Sequence, residues 1–243
     1  MSPHLTITRY TGFTGFLSTI ENGLFLPKAT LFKDELEGIL PYFQDTDENH
    51  VISREDIRSC MEWIYISCWH TEPHECHAMW QIYGATTEAV AIQTTEIELR
   101  LAYIRSKLGM HTYLDTVKYK DPESEDVKKP NPVTVFTNKA PACSDSKAIY
   151  AALFSFMKHL GYSYERELRL VAIDKDAKCS SKNTSPGIYL SSEATRSMIK
   201  RVIIHPFAPS WFEKLVKTII QKRYKLNIEI IKSTLADNTN KKL

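Results

Sequence analysis

The sequence predicts an α+β domain with a mixed, largely antiparallel sheet flanked by helices. Stretches with the two-residue alternation of strands are interspersed with stretches whose apolar residues recur every three or four positions, as in amphipathic helices. They lack the regular strand–helix–strand rhythm of a doubly wound parallel sheet. The apolar content of 43% and the charged content of 25% are typical of a globular protein. We expect a single domain over residues 1–235, with a loop or insertion at about 121–147 and a polar tail at 236–243.

The strands are predicted from alternating or continuous apolar character. An extended stretch at 164–173 begins polar and aromatic and ends apolar. The other predicted strands are Leu5–Thr11, Leu24–Leu26, Trp63–Trp69, Ala89–Thr94, Tyr113–Tyr119, Lys200–His205 and Asn227–Lys232.

Helix starts are marked by a hydroxyl residue with an acidic residue three positions later, a pattern found at Ser53, Thr95 and Ser210. Gly23 is predicted to end the first helix, because glycine readily adopts the conformation that stops one. The predicted helices are Phe13–Asn22, one ending near Met61, one between Pro73 and Gly84, one with apolar positions Ile97, Leu101, Ile104 and Leu108, Lys147–Leu160, and one with Leu215, Val216, Ile219 and Ile220.

Bulk charge and cysteine usage narrow the class of protein. The formal net charge is only +2, so no global basic field indicates nucleic-acid binding. The five cysteines are odd in number and lack the spacing of a disulfide framework, which favours a reducing, cytoplasmic compartment. No apolar run approaches the roughly 18 residues of a membrane span, and the N-terminus has no signal-peptide pattern.

The stretch YERELRLVAI at 164–173 places charged residues at the start of an apolar strand. Alternation puts Glu165, Glu167 and Arg169 on one face and Leu168 and Leu170 on the other. Buried carboxylates need a partner, which Arg169 can supply. The group is either a structural ladder of salt bridges or a functional site.

A metal site is not predicted. The segment CWHTEPHECHAMW concentrates the possible zinc ligands Cys68, His70, His74, Cys76 and His77, but it has no C-x2-C pair and no second ligand pair. We expect core cysteines and surface histidines here. The glycine-rich motifs that bind phosphate are also absent.

Aromatic residues and one arginine each allow two interpretations. Trp69, Trp80 and Tyr83 form an aromatic group that either packs in the core or stacks on a planar ring such as nicotinamide or a base. Strand alternation puts Arg9 on the same face as the apolar Leu5 and Ile7. An arginine that points to the same side as apolar residues needs an anionic partner. That partner is either a protein group or a ligand phosphate.

Several segments together resemble a widespread bacterial family known as a domain of unknown function. They are TRYTGFTGFLSTIENGLFL near the start, ISCWHTEPHECHAMWQIYG and EAVAIQTT in the middle, and YSYERELRLVAI late. The resemblance covers most of the chain and implies no particular activity.

The order of parts also resembles the ADP-ribosyltransferase fold, particularly its DNA-targeting toxin branch. The matching parts are Arg9, Tyr10 and Thr11 on the first strand, the helix and strand at Ser18–Leu24, the hydroxyl of Ser67, the aromatics Trp80 and Tyr83, the pair Glu165 and Glu167 before a late strand, and a closing strand, helix and strand. The resemblance implies an ADP-ribosyltransferase-like fold, with NAD as the substrate and no metal. It further implies a toxin or an anti-phage defence effector.

The roles implied by this resemblance follow the chemistry of NAD cleavage. Breaking the nicotinamide glycosidic bond passes through an oxocarbenium-like state, which a carboxylate stabilises. Glu167 would take that role and Glu165 would orient the acceptor or the second ribose hydroxyl. Arg9 would hold the dinucleotide, and Tyr10 or Trp69 would stack on nicotinamide. We therefore predict that Arg9, Ser67 and Glu167 converge.

Two other functions remain open from the residues. The first is a non-catalytic, antitoxin-like or sensor module that binds NAD or a related nucleotide. The second is another enzyme class, a nuclease or a glycosidase using Glu165 and Glu167. The acceptor of a transferase would be a nucleic acid or a protein.

Overall fold

A computed structural model of the protein describes residues 5–32, 54–121, 148, 151–152, 154–174 and 182–235. The chain divides into two compact units. The first unit comprises the described residues within Met1–Phe25, Trp69–Leu108 and Tyr189–Leu243. The second unit comprises those within Leu26–Cys68 and Gly109–Ile188. The expectation of a single domain over 1–235 stays a prediction, and the predicted loop and tail lie almost entirely outside the described residues.

Most strands lie at the predicted positions. In chain order they are β1 (Thr6–Gly12), β2 (Phe25–Pro27), β3 (Ile64–His70), β4 (Ala89–Thr95), β5 (His111–Thr116), β6 (Lys118–Lys120), β7 (Met157–His159), β8 (Glu167–Ile173), β9 (Gly187–Tyr189), β10 (Arg201–Ile204) and β11 (Glu229–Lys232). Strands β7 and β9 were not predicted, and the predicted strand Tyr113–Tyr119 is divided into β5 and β6.

Within the described residues, the α-helices are fewer than the strands. They are α1 (Phe13–Asn22), α2 (Arg54–Met61), α3 (His77–Met79), α4 (Glu96–Ser106), α5 (Ser192–Met198) and α6 (Ser210–Thr218), with π-helical turns at Trp80–Gly84 and Ile219–Arg223 and 3-10 turns at Ala29–Leu31 and Leu160–Glu165. None of the helices in the described ranges has the length and apolar character that crossing a membrane requires.

In the first unit, the strand order β11-β10-β4-β1 builds a mixed sheet. The pairs β1–β4 and β4–β10 are antiparallel, whereas β10–β11 is parallel. Helix α1 contacts β1 and β4, and α4 and α5 contact each other beside it. Tyr10, Met79, Trp80 and Ile203 belong to one buried apolar cluster of this unit.

In the second unit, β8 lies between β3 and β5. The pair β5–β8 is antiparallel, and β6 pairs with β7 in parallel. All seven residues of β8 are buried. The combination of helices with parallel and antiparallel pairs confirms the α+β prediction with a mixed, largely antiparallel arrangement of strands.

Local signals correctly placed two helix ends. Helix α1 ends at Asn22, and Gly23 follows with φ of 103°, a conformation that side chains with a Cβ rarely adopt. Helix α4 begins after Thr95, whose hydroxyl accepts a hydrogen bond from the Glu98 amide.

The predicted buried face of α4 was wrong. Ile97 and Ile104 are 42% and 61% exposed, whereas Leu99, Ala102 and Tyr103 are buried. Apolar residues are spread almost evenly around this helix, so its pattern does not select a face. Packing against α5 selects it instead.

The predicted helix Lys147–Leu160 was too long. Residues 148, 151–152 and 154 are helical, but β7 begins at Met157 and a 3-10 turn follows at Leu160. The Lys118 amide donates to the Phe156 carbonyl, which starts the pairing of β7 with β6. This long-range pairing replaces the continued helix and places Lys158 on a strand.

Two other helices of the structure differ from the prediction made from the sequence. The helix predicted between Pro73 and Gly84 begins only at His77, and α5 was not predicted. The Ser191 hydroxyl accepts a hydrogen bond from the Ala194 amide, a capping signal that is visible in the sequence.

Candidate functional site

Two of the described cysteines, Cys68 and Cys76, form no disulfide, whereas Cys60 is disulfide-bonded. The reducing, cytoplasmic compartment expected from the sequence stays a prediction.

Glu167, on β8, is the centre of a buried group of charged side chains in the second unit. It is 4% exposed, and Arg169 is 1% exposed. Arg169 Nε donates to Glu167 Oε2 at 2.5 Å, as strand alternation predicted for residues two apart. Arg169 Nη1 also donates to the Ser155 carbonyl at 2.6 Å, so two bonds fix the guanidinium.

Glu165 reaches the same group by a route that the sequence did not predict. It ends the 3-10 turn and is not part of β8, which corrects the expectation that alternation along one strand places it. Arg166 follows with φ of 40°, in the left-handed region. The buried Glu165 carboxylate and Glu167 both contact Lys158.

Lys158 supplies the cation between the two carboxylates. Its Nζ donates to Glu165 Oε2 and, at 3.1 Å, to Glu167 Oε1. The ammonium also lies 4.6 Å from the centre of the Tyr162 ring. Lys158 is 4% exposed and sits opposite Tyr119 in the β6–β7 pair.

Tyr119 holds the start of β8 in place. Its hydroxyl oxygen accepts a hydrogen bond from the Glu167 amide at 2.8 Å. Burial raises the pKa of Tyr119 to about 12, so the phenol stays neutral at physiological pH.

The two carboxylates differ in ionisation. Burial, followed by a hydrogen bond shared with Glu167, raises the pKa of Glu165 to about 7, although Lys158 opposes the rise. Burial acts in the same direction on Glu167, but the charge of Arg169, the hydrogen bond with Glu165 and the charge of Lys158 lower its pKa well below the usual range. Near neutral pH the pair therefore exchanges one proton, at Glu165, while Glu167 stays ionised.

In the first unit, the structure brings Tyr10 and Trp80 together, with their ring centres 4.9 Å apart in an edge-to-face arrangement. The Tyr10 hydroxyl oxygen accepts from the Cys76 amide, and Trp80 Nε1 donates to Glu75 Oε2. Burial raises the pKa of Tyr10 to about 12. Trp80 is 0% exposed, so its indole packs in the core and has no exposed face.

The remaining predicted site residues are distributed over both units. In the first unit, Arg9 and Thr11 are half-buried, Trp69 is buried and Tyr83 is 42% exposed. Ser67 is buried and belongs to the second unit. The ligand-binding roles of these residues stay predictions, as does the convergence of Arg9, Ser67 and Glu167.

Sequence reasoning missed Lys158, Tyr119 and the Ser155 carbonyl. Lys158 was hidden by the helix predicted over it, although an apolar stretch containing one lysine shortly before two glutamates is a usable signal. Tyr119 lies far from β8 in sequence and Ser155 lies in the turn before β7, so only the folded structure shows that they bond to Glu167 and Arg169.

No group of three or more His, Cys, Asp or Glu side chains among the described residues is arranged to hold a metal ion. We predict that protein purified without a metal-affinity tag contains far less than one zinc per chain, because a closed zinc site needs four ligands. Elemental analysis measures this ratio. A stoichiometric zinc that survives dialysis against a chelator contradicts the prediction.

Comparisons with known proteins give one weak structural likeness. No protein family matches the chain, and no curated protein matches it in sequence. Among solved structures, the chain is similar to DarT from Thermus sp. 2.9, determined in complex with NAD+. The identity is 8%, 98% of each chain is covered, and the TM-score is 0.39. A likeness at this level does not establish a common fold or a common function.

Proposed function

We propose that the protein is an NAD-consuming enzyme, either an ADP-ribosyltransferase or an NAD glycohydrolase. The observation that supports this proposal is the placement of the Lys158 ammonium between the carboxylates of Glu165 and Glu167. A site that holds a cation between two buried carboxylates provides the electrostatic environment that an oxocarbenium-like transition state needs.

The proposed reaction breaks the bond between C1′ of ribose and the nicotinamide nitrogen. The bonding electrons move to nicotinamide, which leaves as a neutral molecule, and positive charge develops on the ribose. The ionised Glu167 stabilises that charge. A water molecule or an acceptor hydroxyl then forms the new bond to C1′ and releases its proton.

Glu165 is suited to accept this proton. Its pKa of about 7 lets it exist in both forms near neutral pH, which is the property of an effective general base. The low pKa of Glu167 keeps that carboxylate charged throughout. The two carboxylates thus take different roles, which their environments set.

Incubation with NAD tests the proposal directly. We expect free nicotinamide to appear, with or without added cell extract. In the extract, label from NAD carrying radioactive adenine would pass to nucleic acid or protein if the enzyme is a transferase. Absence of nicotinamide release under all these conditions overturns the proposal.

The pH dependence follows from Glu165 acting as the base. The ionised fraction of Glu165 increases as the pH rises through about 7, so nicotinamide release should increase over the same range and then level off. Glu165→Gln should be slower and should lose this step. Initial rates measured between about pH 5 and pH 9 check both expectations, and a step that persists in Glu165→Gln assigns it to another group.

A second candidate is a non-catalytic module that binds NAD or a related nucleotide. It is favoured by the engagement of both carboxylates with protein cations and by their burial at 3% and 4% exposure. Such a module would bind NAD without releasing nicotinamide. Equilibrium binding and nicotinamide release measured on the same preparation separate the two candidates.

A further inference from the structure

The Lys158 ammonium occupies the position between Glu165 and Glu167 in which positive charge would develop on a substrate. It bonds to both carboxylates at once. A substrate group that carries positive charge at the same place would have to compete with it. We propose that Lys158 is an internal competitor for the cationic part of the substrate, and that it leaves the carboxylate pair when NAD binds. This inference rests on the proposed function.

The second cation of the group is not suited to leave. Arg169 is held by Glu167 and by the Ser155 carbonyl, at 2.5 and 2.6 Å. Its planar guanidinium has a fixed geometry, whereas lysine carries a point charge on a flexible stem. Lys158 is therefore the cation that can move while Arg169 keeps Glu167 ionised.

The surroundings give the displaced ammonium a favourable contact that it can keep. The Tyr162 ring is half-buried, and its centre lies 4.6 Å from Lys158 Nζ. The face of a tyrosine ring attracts an ammonium. A small rotation of the lysine stem would keep this contact while the bonds to the carboxylates break.

The replacement of Lys158 by another positive charge keeps the charges of the buried group balanced. With both glutamates ionised, Lys158 and Arg169 neutralise them. When Lys158 leaves, either a proton on Glu165 or the positive charge of the substrate restores neutrality. When Glu165 is ionised, the buried group is therefore neutral both with Lys158 in place and with the positive charge of the substrate in its position.

The experiment compares Lys158→Met with Lys158→Arg, using NAD and NADH as probes. Methionine keeps a long flexible stem without charge, and arginine keeps the charge. NAD has a cationic nicotinamide ring and NADH a neutral one. If the ammonium is bound between the carboxylates in about nine of ten molecules, only about one in ten can accept NAD. Removing the ammonium then raises the apparent affinity for NAD about tenfold. Lys158→Met should show this gain for NAD and a much smaller one for NADH, and Lys158→Arg should show no gain.

Lys28→Met is the matched control. Lys28 is another buried lysine of the second unit, and its Nζ pairs with Glu62 Oε2 at 2.6 Å. This change should leave the affinities for NAD and NADH as they are. Binding is measured by thermophoresis at low temperature, with thermal melts and nicotinamide release recorded on the same preparations.

The outcomes separate the inference from the proposed function. An equal gain for NAD and NADH, no gain, or a loss of NAD binding in folded Lys158→Met overturns the inference even if the wild type consumes NAD. If neither the wild type nor any variant binds or consumes NAD, the proposed function fails and the inference fails with it. Should Lys158→Met not fold, Glu165→Gln is compared with the double variant K158M and E165Q, in which the group stays neutral. A preference for NAD that does not rise in the double variant also overturns the inference.

Discussion

Glu167→Gln is expected to reduce nicotinamide release per folded molecule by roughly 10²–10³, the usual loss for a group that stabilises developing charge. Glutamine keeps the size of the side chain and much of its hydrogen bonding but removes the negative charge. NAD binding should persist, because the predicted dinucleotide contacts of Arg9 and the aromatic residues do not depend on this charge. Nicotinamide release is measured by chromatography, and binding is measured separately.

A loss of stability must be separated from this loss of rate. Glu167 pairs with both Arg169 and Lys158 in the buried group, so the variant should also melt at a lower temperature. Asp115→Asn is the control, since Asp115 is an exposed carboxylate on β5 whose backbone lies opposite Arg169. Asp115→Asn should change neither the rate of nicotinamide release nor the melting temperature appreciably. Unchanged turnover in folded Glu167→Gln would mean that Glu167 has only a structural role.

Arg169→Met should lower the free energy of unfolding by about 3–5 kcal/mol, the usual effect of removing one partner of a buried ion pair. The guanidinium is 1% exposed and bonds both Glu167 and the Ser155 carbonyl. Its removal leaves those two acceptors buried with one donor fewer. Urea unfolding measures the change, and failure of the variant to fold agrees with the upper end of this range.

The matched control removes an arginine from an exposed pair. Arg201 Nε bonds Glu229 Oε2 at 2.7 Å, and their side chains are 38% and 53% exposed. Exposed pairs contribute at most about 1 kcal/mol, so Arg201→Met should have a small effect. Equal losses of stability in the two variants would show that the buried group does not contribute as its geometry indicates.

The two variants also distinguish the roles of the buried group. If the group is only structural, both Glu167→Gln and Arg169→Met lower stability, and any activity per folded molecule stays the same. If Glu167 acts in catalysis, Glu167→Gln lowers the rate far more than its loss of stability explains. The two measurements on one preparation are therefore more informative than either alone.

Features that depend on neighbouring residues were predictable from the sequence. The end of α1 at Gly23 and the start of α4 after Thr95 each follow from one local hydrogen-bonding or conformational preference. The contact between Glu167 and Arg169 follows from strand alternation, because residues two apart share a face of the strand. The α+β class followed from the spacing of many such local patterns.

Only the tertiary structure decided the composition of the buried group. Lys158 joins it because β7 pairs with β6 instead of continuing the preceding helix. Glu165 joins it because Arg166 adopts a left-handed conformation that strand periodicity does not predict. Local preferences are weak compared with long-range pairing and burial. Residues that are far apart in sequence come into contact only when the chain folds. The sequence by itself therefore determined which residues carry the charge, and packing determined which of them meet.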